Sequence, residues 1–261
     1  MITSSLQSCH LGPGISPEQV ISDHFFLYLL KGSMLAYSGD KHYHFYPGDS
    51  CIARKNHLFR YTKQQQDGDF KKIVIVLDEA FLKRFLDKHQ VNTAVDTKDD
   101  SIRLVKEDQL LASFIHSLEP YYKGKAVIEE AFADLKREEL LLILLKNDPS
   151  LVAVFFNFGA PQKIDIEAFM SRNFRFNVPL ERFAFLTGRS LSAFKRDFQQ
   201  LYNETPGRWL TKKRLEEAYF LIHQQNQKPK DIYLELGFED LSHFSFAFKK
   251  RFGLAPTAVI Y

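Results

Sequence analysis

Residues Thr187 to Leu201, TGRSLSAFKRDFQQL, decide the fold, because their pattern returns fifty residues later in Gly237 to Arg251, GFEDLSHFSFAFKKR. The alignment pairs Leu186 with Leu236, Ser192 with Ser242, Phe194 with Phe244, Phe198 with Phe248, Tyr202 with Phe252 and Pro206 with Pro256. An internal repeat of this kind marks a structural unit that occurs twice. Each copy reads as a short helix, a tight turn and a second helix. In the first, Pro179 suits the first helical position, Thr187-Gly188 breaks the pattern, and Ser190 is a good N-cap for the second helix. From there Leu191, Phe194, Phe198 and Leu201 recur at helical spacing, while Ser192, Lys195, Arg196 and Gln199 share another face. The helix therefore offers one stripe for burial and a second that is polar and basic.

A helix-turn-helix uses such a second helix in the DNA major groove, packing one face on its partner helix and turning donors toward base edges and phosphates. A single amphipathic helix with a basic face is ordinarily a solvated surface; two copies in register favour DNA binding. The residues carrying the pattern are Phe194-Lys195-Arg196-Asp197-Phe198, then Thr205-Pro206 with Trp209-Leu210 and Arg214-Leu215. They continue in Leu236-Gly237-Phe238-Glu239-Asp240, Phe244, Phe248-Lys249-Lys250, Gly253 and Pro256. Together they resemble the DNA-binding domain of the AraC/XylS bacterial transcription regulators, over residues 161–261. The resemblance implies two helix-turn-helix units joined by a long helix, with both recognition helices in successive major-groove segments on one side of the duplex. It also implies promoter DNA and RNA polymerase as partners, with activation as the usual outcome.

Charge follows the same division. Residues 1–160 hold 19 Lys/Arg and 21 Asp/Glu, a net −2, whereas residues 161–261 hold 16 and 11, a net +5. The basic excess thus falls on the half that carries the repeat, as a polyanion-binding domain requires.

Within that half, Asp165 is expected to cap a helix Ile166 to Asn173, Thr205-Pro206 to open a long helix Gly207 to Gln225, and Lys230 to Leu236 to begin the second unit. Asp240 then caps Leu241 to Phe252. Arg196 leads the candidate base-reading residues, because its fork can read guanine or clamp a phosphate. Ser192 and Lys195 share its face, and the resemblance implies that these three positions reach base edges. In the second copy the corresponding face carries Ser242, His243 and Phe246, where Phe246 replaces an Arg common in the family. Arg189, Lys212, Lys213, Lys249 and Lys250 are candidate phosphate contacts. The first unit is therefore expected to carry most of the sequence discrimination and the second mainly affinity.

Upstream, residues 24–77 read as β structure: HFFLYLLKG, SMLAYSG, KHYHFYPGDSCIAR, HLFRYTK and KKIVIVL are apolar or alternating runs. They are cut by Gly32-Ser33, Gly39-Asp40, Pro47-Gly48-Asp49 and Asp67-Gly68-Asp69. Short strands at this spacing suggest a small barrel or sandwich, and their order resembles the cupin-like effector domain that precedes the DNA-binding half in many of these regulators. Tyr28, Tyr37, His42, His44 and His57 are the candidate effector-pocket residues. His42 and His44 point to one face of a strand and invite a metal reading. No carboxylate follows at the spacing a metal-dependent cupin needs, so no metal and no cofactor are expected. Helices are expected over Glu79 to His89, Asp108 to Tyr122 and Val127 to Lys146, with a polar loop at 90–103. The leucines of the last helix serve either packing inside the domain or a homodimer interface. Leu151 to Phe158 reads as a docked helix at the domain boundary, bringing the two domains into contact.

The expected fold class is α+β: a cupin-like β-barrel with following helices at 1–160, for effector sensing and dimerisation, and an all-α double helix-turn-helix domain at 161–261. The two cysteines, Cys9 and Cys51, are too few for a disulfide framework. Neither a secretion signal nor a run of roughly 20 apolar residues is legible, which points to a cytoplasmic protein without membrane partners. No Ser/His/Asp constellation, phosphate-binding glycine loop or paired acidic motif offers catalytic residues. The leading reading is a DNA-binding transcription regulator, not an enzyme, that responds to an unidentified small molecule or protein partner; a metal-dependent cupin enzyme fused to a DNA-binding tail is the alternative.

Overall fold

A computed structural model describes residues 14–15, 19–64, 70–91, 100–122 and 130–259. Cys9 and the N-terminal run, the Asp67-Gly68-Asp69 break, most of the polar stretch expected at 90–103, the start of the helix expected from Val127, and Ile260-Tyr261 lie outside the described residues. The chain divides into two compact units, Met1–Gly159 and Ala160–Tyr261.

In the first unit the strands are β1 Gly14–Ile15, β2 Gln19–Ile21, β3 His24–Lys31, β4 Ser33–Ser38, β5 Lys41–Phe45, β6 Ser50–Ala53, β7 His57–Gln64, β8 Lys71–Leu77 and β9 Ile102–Val105. They form two antiparallel sheets. One has the order β1-β7-β4-β5 with β2 also on β7, and the other has the order β8-β3-β6-β9. The run KHYHFYPGDSCIAR is two strands because Pro47-Gly48-Asp49 turns the chain: Gly48 has φ +98°, and the Asp49 carboxylate accepts the Tyr46 N–H at 2.7 Å.

The second sheet is covered on both faces, which explains its nearly continuous apolar strands. Leu27, Leu29, Cys51, Ala53 and Ile102 pack toward Met34, Ala36, Phe45, Phe59 and Tyr61 of the first sheet. The alternate residues Phe26, Ile52, Ile73, Ile75 and Leu77 pack toward helices. These helices are α1 Glu79–His89, α2 Gln109–Ser117, α3 Glu119–Tyr122, α4 Glu130–Asn147 and α5 Leu151–Phe155. Asp78 and Asp108 cap α1 and α2 by accepting the N–H of Phe81 and Leu111.

Three expectations change in detail. The polar stretch at 90–103 runs into β9, which pairs with β6 from Ser50↔Val105 to Ala53↔Ile102. The helix expected at 108–122 breaks at Leu118 into α2 and α3. Most leucines of α4 serve packing within the unit: Leu140, Leu141, Ile143 and Leu144 are buried with Leu111, Phe114 and Ile115, while Phe132, Leu135 and Leu142 stay exposed. The segment at 151–158 begins as a docked helix, with Leu151, Val154 and Phe155 buried in the first unit's own core. Cys51 is buried, and burial pushes its thiol up to about 12, leaving it chemically quiet.

The second unit is helical: α6 Ile166–Asn173, α7 Leu180–Leu186, α8 Leu191–Tyr202, α9 Pro206–Gln225, α10 Pro229–Ile232 and α11 Leu241–Phe252, then a single 3-10 turn at Pro256–Ala258. Asp165 caps α6 through the Ala168 N–H at 2.7 Å. Pro179 is the N-cap of α7, one position ahead of the first-turn site expected for it. The helix expected at Lys230 to Leu236 is only the four residues of α10 continued by turns.

Candidate nucleic-acid interface

The repeat is reproduced in three dimensions down to its ends. α8 and α11 are both 12 residues long and begin fifty positions apart. Ser190 accepts the Ala193 N–H and Asp240 accepts the His243 N–H, so each helix starts on a side-chain cap. Each ends on a left-handed residue, Asn203 with φ +53° and Gly253 with φ +81°. Phe194, Phe198, Phe244 and Phe248 are fully buried, and each such ring contributes roughly 1.5–3 kcal/mol through burial alone. Leu201, expected in this stripe, is 55% exposed, and Tyr202 takes the inward position by stacking on Phe198 and Trp209.

The long helix α9 serves both copies. Trp209 meets Phe198 edge to face at 5.6 Å, and Leu215, Ala218 and Ile222 share a core with Ile232, Leu236, Phe244 and Phe248. Thr187 ends α7 inside the core, its hydroxyl donating to the carbonyls of Phe183 and Ala184. Both turns need glycine: a Cβ at Gly188 would lie 2.4 Å from the Gln162 carbonyl carbon, and one at Gly237 2.6 Å from the Arg175 oxygen.

Two arginines that sequence reasoning read differently or passed over hold this frame. Arg189, expected at a phosphate, is turned inward with its side chain 9% exposed. It donates to Asp197 at 3.1 Å and to the carbonyls of Ile164 and Thr187 at 2.8 and 2.6 Å. Three of its five N–H donors are thereby engaged, and it clamps the turn ahead of α8. Arg214 of α9 donates to the carbonyls of Phe174, Phe176 and Gly237 at 2.7 to 2.8 Å, tying the end of α6 and the second turn to the long helix. Carbonyls distant in sequence leave no local pattern, so only the fold reveals these roles.

The remaining candidates lie on the surface. Ser192, Lys195 and Arg196 are exposed on α8, as are Ser242, His243 and Phe246 on α11, with Phe246 at 70%. Arg196 rests on Asp197 at 3.0 Å, and hydrogen bonds from Arg196 and then Arg189 hold that carboxyl below the usual carboxylate range. Position 247, its repeat partner, is Ala, so the second copy has no such acid. Lys212 lies 3.4 Å from Glu204 and Lys213 3.7 Å from Glu216. Among the described residues, no ion pair or side-chain hydrogen bond engages Lys195, Lys249 or Lys250. Lys195 on α8 and Lys249 and Lys250 near the end of α11 are thus free to meet phosphate or base edges, while Arg196 rests on Asp197 and Arg251 on Glu216 at 2.8 Å.

In the first unit the candidate pocket residues are not gathered. Tyr28 packs on the helix side of the second sheet. Tyr37 and His42 pair across β4 and β5 at 4.7 Å, with Arg60 over the Tyr37 ring at 5.2 Å. His42 and His44 are exposed on an edge strand, and the His57 ring lies 2.9 Å from the Lys55 carbonyl. Among the described residues no three His, Cys, Asp or Glu side chains are grouped to hold a metal. Among the same residues no helix is long and apolar enough to cross a membrane.

Two capped helix-turn-helix units on one long helix, each presenting an exposed polar face, define a DNA-binding transcription regulator. Comparison with known proteins agrees. A helix-turn-helix domain profile matches residues 183–260, and a profile of the ExsA N-terminal regulatory domain matches residues 24–154. The second match covers half of the chain, which belongs to that family and with it to the AraC/XylS transcription regulators. It is similar to the HTH-type transcriptional regulator ExsA of Pseudomonas aeruginosa, 25% identical over 97% of this chain and 91% of that protein. It is also similar to the virulence regulon transcriptional activator VirF of Yersinia enterocolitica, 29% identical over 47% of this chain and 46% of that one. Among solved structures, ToxT of Vibrio cholerae aligns over 98% of this chain and 98% of its own at 15% identity and a TM-score of 0.41. The relatives are transcription regulators, and this chain is one of them and not an enzyme.

Proposed function

We propose that this regulator reads promoter DNA with α8 and supports that reading with α11. Ser192, Lys195 and Arg196 meet base edges in one major-groove segment, with Arg196 on guanine. Ser242, His243 and Phe246 face the next, where the Phe246 ring suits a thymine methyl. Lys212, Lys213, Lys249 and Lys250 serve phosphates. The observation that carries this reading is the register itself: two helices with the same length, caps and buried rings, each leaving the same outer face uncovered.

In the same reading, residues 1–160 sense an effector and residues 161–261 bind DNA, with activation through RNA polymerase in the cytoplasm. Dimerisation would use Phe132, Leu135 and Leu142 of α4, which are exposed on the side of the helix away from the buried Leu140, Leu141 and Leu144. Being called an activator, VirF supports the sign. The test is footprinting of the wild type beside Arg196→Ala on DNA upstream of the chain's own gene, at two salt concentrations. A protected site spanning two adjacent major-groove segments and lost in the variant is expected; uniform, salt-sensitive coverage indifferent to Arg196 would remove the reading.

A further inference from the structure

The space between the two sheets of the first unit is apolar along most of its length and ends in two ammonium groups. β7 places Phe59, Tyr61 and Lys63 in alternation, and β8 places Lys72 two residues before Val74, all on the side that faces the opposite sheet. Lys63 is 7% exposed and Lys72 8%. Lys72 Nζ donates to the Tyr61 hydroxyl at 2.7 Å and lies 4.3 Å from the centre of that ring. Lys63 Nζ lies 5.4 Å from the same ring and 5.5 Å from that of Phe70. Among the described residues no carboxylate pairs with either.

An ammonium taken out of water without a counter-charge is among the costliest groups a core can hold. Ring faces offset part of that cost. Two ammonium groups carry six N–H donors, however, and one phenol oxygen cannot accept them all. A ligand bringing negative charge and two or three oxygens satisfies both deficits at once. We propose that this end of the sandwich binds a small oxyanion, the carboxylate or phosphate group of a metabolite, held by Lys63, Lys72 and the Tyr61 hydroxyl. The site uses none of the histidines at 42, 44 and 57. Only its regulatory consequence rests on the reading that the first unit senses an effector.

The test uses the full chain and its Lys63→Met and Lys72→Met variants, titrated with inorganic phosphate and with acetate at constant ionic strength. The sole tryptophan, Trp209, lies in the second unit, so its fluorescence follows that unit while calorimetry adds the melting of the first. The expected result is a saturable rise of about 3 °C or more in the first unit's melting temperature with at least one anion, absent from both variants. Which anion acts distinguishes phosphate from carboxylate. Without anion, the variants should melt no lower than the wild type, because a buried charge has been removed. No saturable shift in the wild type, or a shift retained by the variants, overturns the proposal. So does a loss of stability in the variants that Asp67→Asn with Asp69→Asn reproduces, since the chain's own acids would then be the counter-ions. DNA affinity measured separately tells the two readings apart: an intact anion shift with unchanged DNA binding keeps the site and discards the effector role.

Discussion

Position 196 of the first helix-turn-helix carries a guanidinium and position 246 of the second a phenyl ring, although the helices beneath them match in length, caps and buried rings. The inner faces are interchangeable because both must fit the same long helix. The outer faces are the ones proposed to meet DNA, and there the copies diverge: Lys195 and an Arg196 braced by Asp197 in one, serines and an uncovered phenylalanine in the other. Packing constrains one side of each helix and leaves the other open to specialise, so a shared frame does not imply a shared task.

Four measurements bear on that contrast. The largest effects should come from the shared side: Phe194→Ala and Phe244→Ala should each cost about 3–5 kcal/mol of stability in denaturant unfolding followed by Trp209 fluorescence. A difference between the two well beyond about 2 kcal/mol, the width of that range, would mean that the frames are not equivalent. Next, Arg196→Ala should lose about 1–3 kcal/mol of discrimination between operator and scrambled DNA in fluorescence anisotropy, whereas Phe246→Ala, which removes one apolar contact to a thymine methyl and no bidentate pair, should lose less than about 1 kcal/mol of it. Equal loss of discrimination in the two variants would break the assignment of reading to the first unit. Third, Phe246→Arg should give the second unit a preference of its own, read as a new guanine in a binding-site selection; an unchanged consensus would show that the ring is not turned to the bases. The smallest effects belong to Lys249→Ala and Lys250→Ala, each lowering the slope of log affinity against log salt by about 0.9 if it neutralises one phosphate. A flat comparison would return those lysines to plain surface.

The repeat made the recognition helices legible because everything that defines them is local: a cap, a 3.6-residue period and a left-handed stop. Ser190 and Asp240 were readable for that reason, as were the strands bounded by Gly39-Asp40 and Pro47-Gly48-Asp49. What lay beyond the sequence depends on partners distant along the chain. β9 is four residues beside a polar stretch and becomes a strand only because β6 offers it a ladder. Arg189 looked like any basic residue ahead of a recognition helix, yet its acceptors include the carbonyl of Ile164. The five candidate pocket residues were sorted by residue type, and type does not say which sheet face a tyrosine occupies. Tyr28 belongs to the helix-facing side because its sheet is buried twice over.

The 20-residue α9 rises about 30 Å, close to the roughly 34 Å of one turn of B-DNA. It is anchored at one end by Trp209 on Phe198 and toward the other by Ile222 in the core of the second copy. A single residue inserted between those anchors would swing one recognition helix by about 100° relative to the other. If α8 and α11 read DNA as proposed, the phase between the two halves of an operator is written in the count of residues along a single rod, and a deletion there would alter which promoters are recognised without changing any side chain that meets a base.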